Sequence, residues 1–170
     1  GHPDGITLGA IHTTLPGMLT TMEAVQALLR EADIDLELEL VEHATFHAQI
    51  RQDLSQVTHY SAARFPIADV YLSQFFHSDA IVGTPTAVTN FSHCSVADAE
   101  IDAAKVETDP VAQKALWATA QAKIMEEVCA IPIFQNLQLW AWNEKLDLGV
   151  EVVGSLNLSP PVTELARFTE

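Results

Sequence analysis

The run "IDLELELVE" (residues 34–42) restricts the fold more than any other stretch of the chain. Ile34, Leu36, Leu38 and Leu40 alternate with Asp35, Glu37 and Glu39, the period of a strand with one buried and one wetted face. Before it, "ITLGAI" (6–11) reads as a short buried strand. Between the two, Met22, Val25, Leu28, Leu29 and Ala32 recur at helical spacing. Thr20 and Glu23 form a candidate capping box for this helix, and Pro16 and Gly17 read as breakers ahead of it. A short helix is expected at 46–52, where Phe46 and Ile50 lie one turn apart. "VTHYSA" (57–62) then reads as another strand. Asp69 is a candidate N-cap for "VYLSQFF", whose Leu72, Phe75 and Phe76 share one face. Strand and helix alternating in this way predict an α/β fold.

The second half is more helical. Residues 78–93 have no helical period, and a stretch of that length inside a compact domain is usually functional or mobile. "DAEIDAAKV" predicts a helix capped by Ser95 or Asp98. Asp109-Pro110 opens a longer one, with Leu116, Ala120, Ile124 and Val128 as its apolar stripe. "LQLWAW" alternates and reads as a strand with Trp140 and Trp142 on one face. Short β-like pieces are expected in the tail around Pro160-Pro161.

The 170 residues fit one domain with a single core, and the 48% hydrophobic and 18% charged usage is that of a globular protein. No apolar run approaches the ~18 residues of a membrane span. With 23 acidic against 8 basic residues the formal charge is −15. That surface suits a soluble monomer, and it disfavours nucleic acid and anionic lipid surfaces as partners, since too few cations exist to contact phosphates. The opening "GHPDG" has no leader-like pattern and reads as a mid-protein loop, in which case a missing leader says nothing about location. Cys94 and Cys129 lie 35 apart, not a metal-ligand spacing; they are a disulfide pair or two buried thiols.

No complete active site is visible. His43 and His47 stand four apart, a metal-capable spacing, but Glu42 precedes the first instead of following it and no third ligand can be nominated. Solvated histidines on a helix are the better reading, and no metal is assigned. Ser92, His93 and Cys94 adjoin in sequence, which does not place them for proton transfer, and no orienting group accompanies them. The acids of "DLELE" are a solvated strand face and not a calcium loop. No glycine-rich phosphate loop occurs, and no cofactor is assigned. The Trp140/Trp142 face needs cover, either from the helices of this domain or from something outside it.

Taken in order, these motifs resemble one family. "PDGITLGA" is similar to its Pro-Asp-Gly turn and following strand. "MEAVQALLREADIDLELELVEHATF" resembles its next helix and strand, with Asp33 where the family's junction has glycine. "TNFSHCSVADAEIDAAKVETDPVAQKALWATAQAKIMEEVCAIPIF" matches an aromatic and Asn, an Asp-bearing helix, a "tDp" start, a long helix and an "iPl" end. "LQLWAWNEKLDLG" fits the strand that follows. The set resembles the C-terminal lobe of the extracytoplasmic solute-binding proteins of ABC importers, in the peptide, nickel and opine class (family 5).

The resemblance implies one α/β lobe of a two-lobe periplasmic binding protein, with a mixed sheet flanked by helices. It also implies a periplasmic or lipid-anchored location, no catalysis, and a solute trapped by closure against a missing N-terminal lobe before delivery to an ABC permease. Residues 1–170 would be one domain, with about 145–170 returning toward the hinge or the missing lobe. In peptide-binding relatives an Asp in the loop after the third strand pairs with the ligand's amino terminus. The matching run here is "ARFPIAD", which puts Arg64 at or beside that position. A guanidinium repels an ammonium and meets a carboxylate with a planar double donor. Arg64 is therefore expected to bind the carboxylate of an anionic or zwitterionic peptide or opine, with Phe65 as an apolar wall. The competing reading is a surface Arg paired with one of the many acids. Asn90 and Phe91, closing the 78–90 connection, are the other expected ligand-binding residues. Two rivals remain: a small α/β enzyme, marked by a pocket of perturbed titratable groups, and an interaction module using the Trp140/Trp142 face.

Overall fold

The computed structural model describes residues 2–62, 67–85, 89–137, 139–151 and 162–169. β1 (Ile6–Thr13) and β2 (Ile34–Val41) pair in parallel, in register from Ile6 opposite Ile34 to Thr13 opposite Val41. A parallel pair needs a crossover, and α1 (Pro16–Arg30) supplies it. Pro16 begins this helix, because a residue at N1 has no intrahelical N–H bond to lose and proline's φ is already helical. The expected capping box is therefore not formed. Thr20 lies inside the helix, and Leu15 is the N-cap, with no side-chain bond. After α1, Asp33 takes φ +59°, the left-handed position that usually favours glycine but that Asp tolerates. Its carbonyl accepts from the Ile6 N–H at 3.0 Å and crowds Gly5, where an added Cβ would sit 2.7 Å from that oxygen.

The two faces of this sheet build two small cores. Ala10, Met22 and Leu36 are buried together, with Leu8, Val25, Leu29 and Leu38 around them, under α1. On the other side Ile11 packs on Phe46 and Ile50 of α2 (His43–Arg51). α2 is capped by Glu42, whose carboxylate accepts from Ala44 N at 2.8 Å. The alternation of β2 is real where α1 covers it: Leu36 is fully buried, whereas Leu40 is 47% exposed.

The strand expected at "VTHYSA" is not formed. The free edge of β1 is satisfied mostly by side chains of the preceding turn. Gly9 N donates to Gln56 Oε1 at 2.6 Å and Ile11 N to Ser55 Oγ at 2.9 Å, while Val57 N donates to Gly9 O at 3.2 Å. An edge whose N–H groups are paired in this way needs no third ladder.

A helical layer follows: α3 (Ala68–Phe76), a 3₁₀ turn (Ser78–Ala80), α4 (Asp98–Val106) and α5 (Pro110–Glu126). Leu72, Cys94, Ala97, Ile101, Ala120 and Ile124 form its core, with Trp117 and Phe76 packed against them. Asp69 is not the N-cap of α3. It sits within the first turn, where its charge suits the helix dipole, and accepts from Ser73 Oγ at 3.2 Å. Neither Ser95 nor Asp98 caps α4. Ala97 holds that position, and Asp98 accepts from Ser78 N at 3.0 Å, tying the 3₁₀ turn to the helix. Asp109 does cap α5, accepting from Val111 N at 3.0 Å, with Pro110 at the first position. Val128 falls beyond the helix, at φ +52° and 64% exposed, and so leaves the stripe. Cys94 and Cys129 form a disulfide with Cα atoms 5.7 Å apart, which decides the question the sequence left open.

After α5 the chain runs without a ladder. "LQLWAW" forms no strand among the described residues, which exclude Gln138. Leu137 and Leu139 are almost wholly exposed, Trp142 is 46% exposed and Trp140 half-buried. β3 (Leu146–Asp147) pairs antiparallel with β4 (Arg167–Phe168), joined by an Arg167–Asp147 ion pair at 2.8 Å. The pieces expected around Pro160-Pro161 lie outside the described residues. No helix among the described residues is long and apolar enough to cross a membrane.

Candidate functional site

Parallel α/β sheets present ligands to the carboxyl ends of their strands. Here β1 ends in His12-Thr13, β2 ends at Val41, and α2 starts at His43. His12 is fully buried, and its Nδ1–H donates to Thr13 O at 2.9 Å. Its Nε2 faces His59 Nδ1 at 3.1 Å, and the two rings are nearly coplanar in orientation, with centroids 5.4 Å apart. Thr13, also buried, places its hydroxyl 3.1 Å from His43 Nδ1. His43 Nε2 and His47 Nε2 then approach to 3.2 Å. The two histidines four apart are thus not free in solvent; they are half-buried and linked to each other and to β1.

An aromatic belt continues from them. His47 meets the Tyr60 ring edge-on at 5.8 Å, and Tyr60 packs on Phe91 at 5.1 Å and on Phe75 at 5.7 Å. Burial lowers the pKa of His12, against the raising effect of its bond to Thr13 O. Burial, then the neighbouring His43 and Arg51, lower His47. Burial, then His12, lower His59. Near neutral pH these three imidazoles are therefore uncharged. These three rings give the aromatic wall hydrogen-bond donors and acceptors without a charge of their own.

Phe91 is brought into this belt. Asn90, beside it, is fully buried, and its amide is committed inward. Nδ2 donates to His77 O at 2.9 Å and Cys94 O at 2.7 Å, and Oδ1 accepts from Cys94 N at 3.2 Å and Ser92 Oγ at 3.1 Å. Asn90 holds the turn that presents Phe91. Arg64 and Phe65 lie outside the described residues, between Tyr60 of the belt and the start of α3. The Ser92-His93-Cys94 run is not a nucleophile site: Cys94 is in the disulfide, and His93 instead pairs with Asp53 at 3.0 Å. Among the described residues no three His, Cys, Asp or Glu side chains are grouped to hold a metal.

The sequence reading missed His12, His59 and Tyr60. The available signal was position: polar aromatic residues at the end of β1 and in the segment lying on its free edge. A separate open apolar groove of about 730 Å³ runs between α1 and Ile133-Phe134, away from the histidines. The three histidines with lowered pKa lie outside that groove.

No family model and no curated protein matches the chain. Solved structures do. The chain is 48% identical to MoaA of Agrobacterium tumefaciens R10, solved in complex with mannopinic acid, with a TM-score of 0.87 over 100% of this chain and 34% of that one. It matches AgaA of the same strain, in complex with agropinic acid, at 16% identity and TM-score 0.65, over 76% of this chain and 26% of that. It matches the ABC transporter-associated periplasmic binding protein DppA of Helicobacter pylori, in complex with the peptide STSA, at 19% and 0.64, over 76% and 25%. The last two establish the fold alone. The chain spans about a third of the length of MoaA. It is a single α/β lobe, and its neighbours among the solved structures are extracytoplasmic solute-binding proteins of the peptide, nickel and opine class.

Proposed function

We propose that this chain is the C-terminal, ligand-binding lobe of a periplasmic receptor that captures a small anionic or zwitterionic solute, opine-like or peptide-like, for an ABC permease. The observation that carries the reading is identity of 48% along the whole chain to a protein solved with an opine acid bound. Capture is by closure against an N-terminal lobe, which the ligand stabilises by touching both sides. Catalysis plays no part. The Cys94–Cys129 bridge accords with an oxidising compartment such as the periplasm.

In this reading the carboxyl ends of β1 and β2 are one wall of the cleft. Arg64 receives the solute's carboxylate and Phe65 and Phe91 give it apolar walls. Asn90 serves the site by fixing Phe91. Residues from about 145 onward lead back toward the hinge, and the exposed side chains of Ile131, Ile133, Phe134, Leu137, Leu139 and Trp142 face the remainder of the receptor. That cover accounts for the tryptophan face without a separate binding partner.

Calorimetry on the full-length receptor with mannopinic acid tests the reading. Saturable binding is expected, with a loss on the order of 2 kcal/mol or more on Arg64→Ala, the range for breaking a desolvated charge pair. The isolated lobe should bind feebly, because half of the contacts and the closure are missing. Unchanged affinity in Arg64→Ala removes the carboxylate role, and micromolar binding by the lobe alone contradicts the two-lobe account.

A further inference from the structure

The hydrogen bonds of His12 decide the protonation of a second histidine. A backbone carbonyl only accepts, so the 2.9 Å contact to Thr13 O makes His12 Nδ1 the donor. His12 is fully buried and its pKa is lowered, so it is neutral and its Nε2 carries a lone pair. The partner at 3.1 Å, His59 Nδ1, must then be the donor. A neutral His59 has only one ring proton, and that bond uses it. Its Nε2 is left as a bare acceptor, paired with nothing among the described residues and absent from the buried unpaired atoms. Free imidazole offers its proton from either nitrogen; His12 removes that choice.

His59 is half-buried, adjoins Tyr60 of the aromatic belt, and sits by the carboxyl end of β1. We propose that His59 Nε2 is a specificity-determining acceptor in the solute site, held in that state by His12 as positioning residue. The solute must then bring an O–H or N–H donor to His59. A hydroxylated or amine-bearing acid fits; a simple dicarboxylate would place a lone pair against a lone pair. This rests on the solute-binding reading above for the location of the site, though not for the tautomer.

Two measurements on the full-length receptor separate the two. Long-range ¹H–¹⁵N spectra of histidine-labelled protein without solute, near neutral pH, read each ring nitrogen directly. His59, assigned by the signals that vanish in His59→Gln, is expected to be protonated on Nδ1 and bare on Nε2. In His12→Phe it should lose that fixed tautomer. A proton on Nε2 of wild-type His59 overturns the proposal. Titration with mannopinic acid is the second arm. His59→Leu should lose about tenfold or more in affinity, as when a substrate donor loses its only acceptor, and His59→Gln, which keeps an acceptor oxygen at similar reach, should lose less. Equal affinity in wild type and His59→Leu overturns the acceptor role. Failure of wild type to bind mannopinic acid, with the expected spectrum, overturns the opine reading and the solute role of His59 with it, and leaves the His12-fixed tautomer standing.

Discussion

Asn90 fixes the turn that carries Phe91. All four hydrogen bonds of its amide run within a turn bounded by His77 and Cys94. Removing it strands a backbone N–H and two carbonyls in a buried place. Asn90→Ala is expected to cost about 2–4 kcal/mol of stability by urea unfolding, the range for leaving buried polar groups unpaired. A cost near zero would mean water replaces the amide. The histidines set a pH dependence. His12, His47 and His59 have pKa values lowered below the ordinary 6.5, so below that value the unfolded chain binds more protons than the folded one. Their stabilising effect is present above pH 6.5 and is lost as pH falls through it and through the lower folded values. The urea midpoint should drop between about pH 7.5 and about pH 5, with a shallower drop in His12→Phe; a flat midpoint would contradict their burial. Sequence reading saw His43 and His47 as surface residues because helical spacing says nothing about what lies across the turn, and here Thr13 and Tyr60 do.

At the scale of elements, the patterns that read correctly are those set by local physics. The alternation of 34–41 gave β2, and Asp109-Pro110 gave the start of α5. The errors arose where a tertiary partner changed the outcome. "VTHYSA" has the composition of a strand, yet Ser55 and Gln56 already satisfy the β1 edge. Ser95 and Asp98 are good cap residues by type, but Asp98 is drawn to the Ser78 N–H. "LQLWAW" alternates, and among the described residues nothing pairs with it. The disulfide was not decidable from spacing, because it depends on α4 and α5 folding back on each other. It closes a 35-residue separation around both helices, so its loss should destabilise the chain by about 4 kcal/mol if loop entropy dominates. Unfolding with and without reductant, beside the Cys94→Ala/Cys129→Ala double variant, measures this. Thiol titration of the oxidised chain should find no free thiol, and two would contradict the bridge.

For the whole molecule, the α/β class and the family were legible because the order of loose motifs along the chain is more specific than any one of them. The proposed solute wall was less legible. It is assembled from the end of β1, the first turns of α2, His59-Tyr60 and Phe91, segments whose proximity only the fold reveals. Arg64 was singled out from a likeness between loops, and cations are few in a chain of net charge −15; it lies outside the described residues. The account stands or falls on the sign of the solute's charge at that position. Calorimetry of the full-length receptor against mannopinic acid, with a cationic peptide lacking a free carboxylate as comparison, measures it most directly. Binding of the acid and not of the peptide is the predicted result; binding of the cationic peptide with none of the acid would contradict it.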